Sequence, residues 1–147
     1  MRAIRLAAVL LLGSLPVTQA AVDKDGFVRI TPEEIRFEGE NPLGPDIAVL
    51  AGDPDKPGFY LLRARFRPGV FSTPHYHSTD RYVTVIKGTW YTGTDASFDR
   101  DKTVGLGPGS FMMHPAGAVH YDGAKDEEVI VEIKGIGPVE TVRLPQD

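Results

Sequence analysis

The sequence contains no cysteine, which excludes both a disulfide framework and a metal site built from thiolates. It also has no excess of basic residues, since 16 lysines and arginines stand against 20 aspartates and glutamates, for a net charge of −4. A mildly acidic chain without a basic run lacks the electrostatic means to bind nucleic acid, so we expect no nucleic-acid partner. Hydrophobic residues make up 41% of the 147 residues, which is enough to form the core of one domain.

Long hydrophobic runs are also absent, and no apolar stretch has the length needed to span a bilayer. Residues 7–12 are an unbroken apolar run that follows two arginines and precedes the small-residue segment 18–20. This order is typical of a signal peptide, with an uncleaved anchor as the alternative. We therefore predict a signal peptide over residues 1–20 and a mature domain over residues 21–147. The mature protein is expected to be periplasmic or secreted and free of the membrane.

Sixteen glycines and twelve prolines divide the remaining chain into short segments, which favours strands over long helices. Alternation predicts a strand over residues 59–66, with one face made of Tyr60, Leu62, Ala64 and Phe66. Further strands are predicted over residues 46–50, 81–87, 89–92, 103–106, 110–114 and 129–133. Residues 31–34 are interpreted as a capped turn or a plain loop, and residues 122–128 as a polar turn. Short strands separated by frequent turns favour an all-β barrel or sandwich.

Three of the four histidines occupy anchor positions in two clusters with regular glycine spacing. The first cluster runs Gly69, five residues, His75-Tyr76-His77, three residues, Arg81, six residues, Gly88. The second runs Gly109, five residues, Pro115-Ala116-Gly117, two residues, His120. Side chains alternate along a strand, so His75 and His77 are expected on the same face. Neutral imidazole is a common metal ligand, and three of them can hold one face of an ion and leave the other open.

These two clusters resemble the paired motifs of the cupin superfamily, G-x5-H-x-H-x3-E-x6-G and G-x5-P-x-G-x2-H-x3-N. The residues between the anchors are similar to those of small secreted single-domain cupins of mostly undefined role. The resemblance implies a single-domain antiparallel β-barrel of the jelly-roll type, with the metal inside the barrel. Motif one then covers residues 69–88 and motif two covers residues 109–124.

The resemblance also implies that His75, His77 and His120 bind one divalent metal ion, with iron as the leading candidate and zinc, manganese, nickel and copper as others. Arg81 stands where the family's fourth ligand, a glutamate, would be, and Ala124 replaces the motif-two asparagine. Arginine has no acceptor lone pair, so it cannot bind a cation. The alternative is a cupin that has lost its metal and keeps the histidines as polar core.

Arg81 itself has two interpretations. It could lie near the metal and bind the anionic group of a substrate through its planar guanidinium, or it could turn to the barrel rim and pair with Asp80 or another acid. Asp80 and Glu132 are the two carboxylates considered as replacements for the missing ligand. His114 lies outside the motif positions and is expected to be a hydrogen-bonded wall histidine or a surface histidine.

The leading functional hypothesis is a mononuclear metal-dependent enzyme that acts on a small organic molecule, with a non-haem iron dioxygenase as the first choice. Three neutral ligands leave three positions on an octahedral ion, which can hold a bidentate substrate together with dioxygen. Isomerase and lyase activities fit the same site. The alternative is a non-catalytic cupin that binds or senses a small molecule or metal. Small jelly rolls often pair through sheet edges, so a homodimer is a further expectation.

Overall fold

The computed structural model describes residues 22–39 and 44–145. The predicted signal peptide lies outside these ranges and stays a prediction. The chain divides into two compact units, Met1–Glu34 and Ile35–Asp147. In the first unit, Pro32–Glu34 forms a 3-10 helix, and the backbone N–H of Thr31 donates to the Glu34 carboxylate at 2.7 Å. This reciprocal contact confirms the capped turn.

The second unit is built from strands, and the described residues contain no α-helix. Within the described ranges, no helix has the length and apolar character needed to cross a bilayer. In chain order the strands are β1 (Asp46–Ala51), β2 (Gly58–Phe66), β3 (His75–His77), β4 (Arg81–Lys87), β5 (Trp90–Gly93), β6 (Val104–Leu106), β7 (Phe111–His114), β8 (Tyr121–Gly123), β9 (Val129–Gly137) and β10 (Thr141–Arg143).

All strand pairs are antiparallel. Five strands form the largest sheet, in the order β1-β2-β9-β4-β7, while β6-β5-β8 and β10-β3 form two smaller sheets. The all-β antiparallel fold predicted from the sequence is therefore confirmed.

The core lies against the inner face of the large sheet. The predicted inner face of β2 is buried as expected, and β9 contributes Val129, Val131 and Ile133 to the same core. Val83 and Val85 of β4 continue this surface, and Trp90 of β5 packs against it. Apolar residues at every second position give β2, β4 and β9 one buried face each, and the burial of these faces drives the sheet to pack over the core.

Two strands were not predicted. Residues 122–128 were interpreted as a turn, but Tyr121–Gly123 forms β8, in which Asp122 pairs with Thr92 of β5. Thr141–Arg143 forms β10, which pairs with β3. Three-residue strands have too few positions for a hydrophobic alternation, so their partner strands define them rather than their own sequence.

The glycines of the two motifs make the tight turns that carry the histidine segments. Gly117 has a φ of +75°, a region that favours glycine, and its N–H donates to the carbonyl of His77 at 2.9 Å. At Gly88, with a φ of +72°, a Cβ would lie 2.4 Å from the carbonyl oxygen of Glu128. The regular glycine spacing thus reflects backbone geometry, and the Pro-x-Gly turn is tied directly to β3.

Candidate metal centre

The short strand β3 places two histidines on one buried face. His75 and His77 are both buried, whereas Tyr76 between them is half-buried. Strand alternation explains this pattern, because side chains at positions i and i+2 share a face. The sequence-based expectation for this pair is confirmed.

His120 lies directly opposite His75. The N–H of each residue donates to the carbonyl of the other at 2.9 Å, as in a hydrogen-bonded antiparallel pair. The ring centroids of His75 and His120 are 4.4 Å apart, and that of His77 is 5.2 Å from His120. The ligand-capable nitrogens of the three residues all lie within 4.8 Å of one another. The structure therefore brings the sequence-predicted triad together; we call these three residues the first triad.

Backbone carbonyls orient two of the three rings. The Nδ1 of His75 donates to the carbonyl of Thr73 at 2.7 Å, and the Nδ1 of His120 donates to that of Ala118 at 3.0 Å. With the proton on Nδ1, each Nε2 presents a free lone pair, which is the arrangement that metal-binding histidines use. The Nε2 of His120 is buried without a hydrogen-bond partner. These residues fit a metal ion.

Arg81 projects into the site. Arg81 lies on the same face of β4 as the buried Val83 and Val85. Its Nη1 donates a hydrogen bond to the Nε2 of His77 at 2.7 Å. Thr141 Oγ1 lies 3.1 Å from the Nδ1 of the same ring. The lone pair that His77 would offer to a metal is therefore shared with the guanidinium, and the two compete for this nitrogen.

The rim interpretation of Arg81 does not hold in the structure. Asp80, its suggested partner, accepts a hydrogen bond from the N–H of Ala116 at 2.8 Å. Glu132 lies among basic partners outside the pocket, 3.3 Å from Arg63 Nη2 and 3.1 Å from Lys134 Nζ. The structure does not bring either carboxylate to the first triad, so neither takes the place of the missing glutamate.

The charge of the Arg81 guanidinium is only partly balanced, because Asp122 acts on it without forming an ion pair among the described residues. Its Nε is buried without a partner, and no ion pair joins Arg81 to a carboxylate within residues 22–39 and 44–145. Burial lowers the pKa of Arg81, while Asp122 and the Tyr60 hydroxyl act in the opposite direction. Arginine keeps its charge in proteins, so the pocket contains a half-buried cation that an anion would stabilise.

His114 belongs to the pocket wall. It is only 4% exposed, its ring centroid lies 3.8 Å from that of His120, and its Nε2 is buried without a partner. The signal for this position is the alternation of β7, in which Met113 faces outward and His114 inward. The sequence allowed His114 a place in the pocket wall or on the surface, and the structure places it in the wall.

Asp122 is the residue that the sequence interpretation missed. It lies on β8, is 5% exposed and lines the same pocket as the histidines. His120 and Asp122 are two residues apart on an extended segment, the same spacing that places His75 and His77 together. That spacing was available in the sequence, but residues 122–128 had been interpreted as a turn.

The pocket has a volume of about 330 Å³, which suits a small organic molecule. Its apolar wall is made of inward residues of β2 and β9, namely Leu62, Ala64, Phe66, Val131 and Ile133. The polar lining residues are Asp55, Ser72, His75, His77, Arg81, His114, Asp122, Thr141 and Arg143. A few convergent polar groups in a mostly apolar cavity are the usual form of a small-molecule site.

Burial favours the neutral form of His77, His114 and His120 by lowering the pKa of each ring. Burial, followed by the charge of Arg81, lowers the pKa of His77 to about 2. Burial, followed by the neighbouring His120, lowers the pKa of His114 to about 2. Burial also lowers the pKa of His120. Metal ligands must be unprotonated, so these imidazoles are in the required form.

Comparison with known proteins supports the motif reading. The family model described as Cupin matches residues 56–138. No protein of curated function matches the chain. Among solved structures, the polyketide cyclase RemF from Streptomyces resistomycificus is similar at 21% identity and a TM-score of 0.63, over 82% of this chain and 89% of that one.

Two further structures share the fold. The DMSP lyase DddQ from Ruegeria pomeroyi DSS-3 is 17% identical with a TM-score of 0.59, over 78% of this chain and 59% of that one. A protein of unknown function with a cupin-like fold from Ralstonia eutropha JMP134 is 25% identical with a TM-score of 0.55, over 71% and 60% of the two chains. These similarities establish the barrel architecture.

Proposed function

This chain belongs to the cupin family, and from that premise we propose that it is a metal-dependent enzyme acting on a small organic anion. The observation that supports the proposal is the guanidinium of Arg81, which forms no ion pair among the described residues and lies beside three buried histidines in a mostly apolar pocket. A half-buried cation without a direct ion pair is stabilised by a bound anion. The pocket thus combines a metal-ligating side with an anion-binding group.

His75, His77 and His120 would hold the ion, and the free Nε2 lone pairs of His75 and His120 fit this role. When bound, a divalent ion supplies Lewis acidity with open positions for substrate. An imidazole that binds a metal does so in its neutral form, so three imidazole ligands would leave the charge of the ion uncompensated. That charge favours anionic groups such as carboxylates and enolates.

Arg81 binds and orients the substrate in this proposal. A carboxylate or enolate accepts two parallel hydrogen bonds from a guanidinium, which a neutral imidazole cannot match. An incoming anion therefore draws Arg81 from the Nε2 of His77 and frees this nitrogen. The apolar walls exclude water, which strengthens the charge interactions inside the pocket.

Among the possible reactions we propose an iron-dependent dioxygenase. Three imidazole ligands leave room for a bidentate anion and dioxygen together, and imidazole suits ferrous iron. The cyclase and the lyase similar to this chain share its fold only, at 21% and 17% identity. Ring closure or elimination without oxygen is the alternative reaction class for the same pocket.

Oxygen uptake by the ferrous protein tests the proposal. The protein is loaded anaerobically with iron(II) and then assayed with diketones, phenolic acids and thiols, with product analysis. We expect oxygen consumption with an anionic substrate, and a loss of about a hundredfold in kcat/KM for Arg81→Met, which corresponds to about 2.7 kcal/mol of lost transition-state binding. The zinc-loaded protein is the control, because zinc has no redox chemistry.

Three results separate the alternatives. Conversion without oxygen would assign the protein to the cyclase or lyase class. Binding of metal and anion without any conversion would show a binding module. Failure of the wild-type protein to bind any divalent ion would overturn the proposed function altogether.

A further inference from the structure

Two imidazole nitrogens in the pocket are buried and have no hydrogen-bond partner. They are the Nε2 atoms of His114 and His120, and only His120 belongs to the first triad. A buried polar atom without a partner is destabilising, so two such atoms side by side suggest a ligand that both would bind. The ring centroids of His114 and His120 are 3.8 Å apart.

Asp122 lies next to the same two rings. The ligand-capable atoms of His114, His120 and Asp122 all lie within 4.8 Å of one another, and all three residues are at least 95% buried. Strand geometry explains the placement, because β8 directs Asp122 to the face that His120 occupies. His114 is the last residue of β7, and its side chain is buried.

We propose that His114, His120 and Asp122 form a second metal-binding triad, which shares His120 with the first. The proposal rests on the proposed function only in its premise that the pocket binds one divalent ion. Two imidazoles and one carboxylate form the donor set that non-haem iron(II) proteins use with open positions. Asp122 would supply a negatively charged oxygen ligand, which motif one lacks because Arg81 stands at the position of the family's glutamate.

The hydrogen bonds of the pocket favour the second triad when no anion is bound. An ion in the first triad must displace Arg81 from the Nε2 of His77. The nitrogens of His114 and His120 need no such displacement. Because His120 is shared, the two triads hold one ion in alternative positions and not two ions at once.

Metal titration of the ligand-free protein tests this inference. The metal-free protein is titrated with cobalt(II) in a buffer without small carboxylates, by calorimetry and by the visible absorption of the bound ion. We expect Asp122→Asn to weaken cobalt binding by at least about tenfold, since even substitutions outside the ligand shell cost that much. His77→Ala should weaken cobalt binding less than Asp122→Asn does, because the Nε2 of His77 is already engaged by Arg81 and is not a ligand of the second triad.

Glu132→Gln is the matched control for Asp122→Asn. It makes the same change of acid to amide on a strand of the same barrel, but outside the pocket. His114→Gln serves as a second variant of the triad, with its fold checked by thermal unfolding. His120→Ala removes the shared ligand and should abolish binding.

The comparison of Asp122→Asn with His77→Ala decides the outcome. A larger loss in Asp122→Asn supports the second triad, while an equal or larger loss in His77→Ala overturns it and leaves the proposed function standing. If the wild-type protein binds no cobalt at all, the premise fails and the proposed function fails with it.

Discussion

At the scale of single residues, the chemistry of this pocket depends on the sign of the charge at position 81. Arg81 occupies the position where related motifs have an acidic ligand, and it points at His77. A negative group in this position would bind a metal, whereas a positive group binds anions and repels a metal. The two halves of this statement can be tested with one substitution.

Arg81→Glu should tighten metal binding and weaken anion binding at the same time. The substitution restores a carboxylate near three imidazoles and removes the donor that engages His77 Nε2. We expect metal affinity to rise by at least about tenfold and the affinity for a small carboxylate to fall by a similar factor, since a charged hydrogen bond contributes about 1.5–3 kcal/mol. Calorimetric titration with zinc, and then with a small carboxylate, measures both.

Arg81→Met separates the two effects. It removes the cation without adding a ligand, so anion binding should fall while metal affinity rises less than in Arg81→Glu. Unchanged affinities in both variants would show that the Arg81 side chain does not act on the site.

At the scale of secondary-structure elements, one row of residues across the large sheet builds the polar wall. Tyr60 of β2 pairs with Gly135 of β9, Gly135 pairs with Arg81 of β4, and Arg81 pairs with His114 of β7. A Cβ on Gly135 would lie 2.5 Å from the Tyr60 hydroxyl oxygen, so the phenol ring covers this glycine. The missing side chain at Gly135 makes room for Tyr60.

Gly135→Ala should therefore destabilise the protein by about 1–3 kcal/mol, the usual cost of overpacking a close-packed interior. The methyl group would displace the Tyr60 ring, which is fully buried. Urea unfolding measures the change in free energy. Gly107→Ala is the matched control, because nothing lies within 4 Å of its added Cβ. Equal stability of the two variants would contradict the close contact.

At the scale of the whole molecule, the buried histidines link folding to pH. The pKa of His77 and that of His114 are about 2 in the folded protein, against an ordinary value of 6.5. Below pH 6.5 the unfolded chain binds protons that the folded chain excludes, so the stability falls as the pH falls. The contribution is fully present above pH 6.5 and is lost progressively toward pH 2.

The metal-free protein should therefore lose stability between pH 7 and pH 5.5, above the range where most carboxylates titrate. Below pH 6.5 each of the two histidines approaches a loss of about 1.4 kcal/mol per pH unit. Urea unfolding with a chelator present measures this slope. His114→Gln should reduce the slope, because it removes one of the two groups. A flat profile in the wild type would show that neither histidine is held neutral.

Metal binding should stabilise the whole fold, because the ligands come from elements that only the folded chain brings together. At a zinc concentration of one hundred times Kd, the free energy of unfolding should rise by about 2.7 kcal/mol. Thermal unfolding with and without a chelator measures the shift, and His120→Ala should show none. A similar shift in His120→Ala would place the ion elsewhere.

The sequence alone determined the all-β fold, the placement of His75 and His77 on one face of a strand, and the glycine turns. These features depend on local rules, namely the period of two along a strand and the backbone freedom of glycine. The length and position of β2 and β4 followed from the same alternation, since Phe59 to Phe66 and Arg81 to Lys87 contain enough positions to show it. The cupin resemblance rested on these same anchors and is confirmed by the family match.

Only the tertiary structure decided which polar groups meet inside the barrel. The direction of Arg81, the place of His114 in the pocket wall and the presence of Asp122 depend on pairing between strands far apart in the sequence. β8 and β10 are too short for their sequence to show which side chains face inward, so pairing with their partner strands decides it. The burial of a cation beside neutral imidazoles is likewise a property of the closed barrel, because desolvation exists only once the strands have come together.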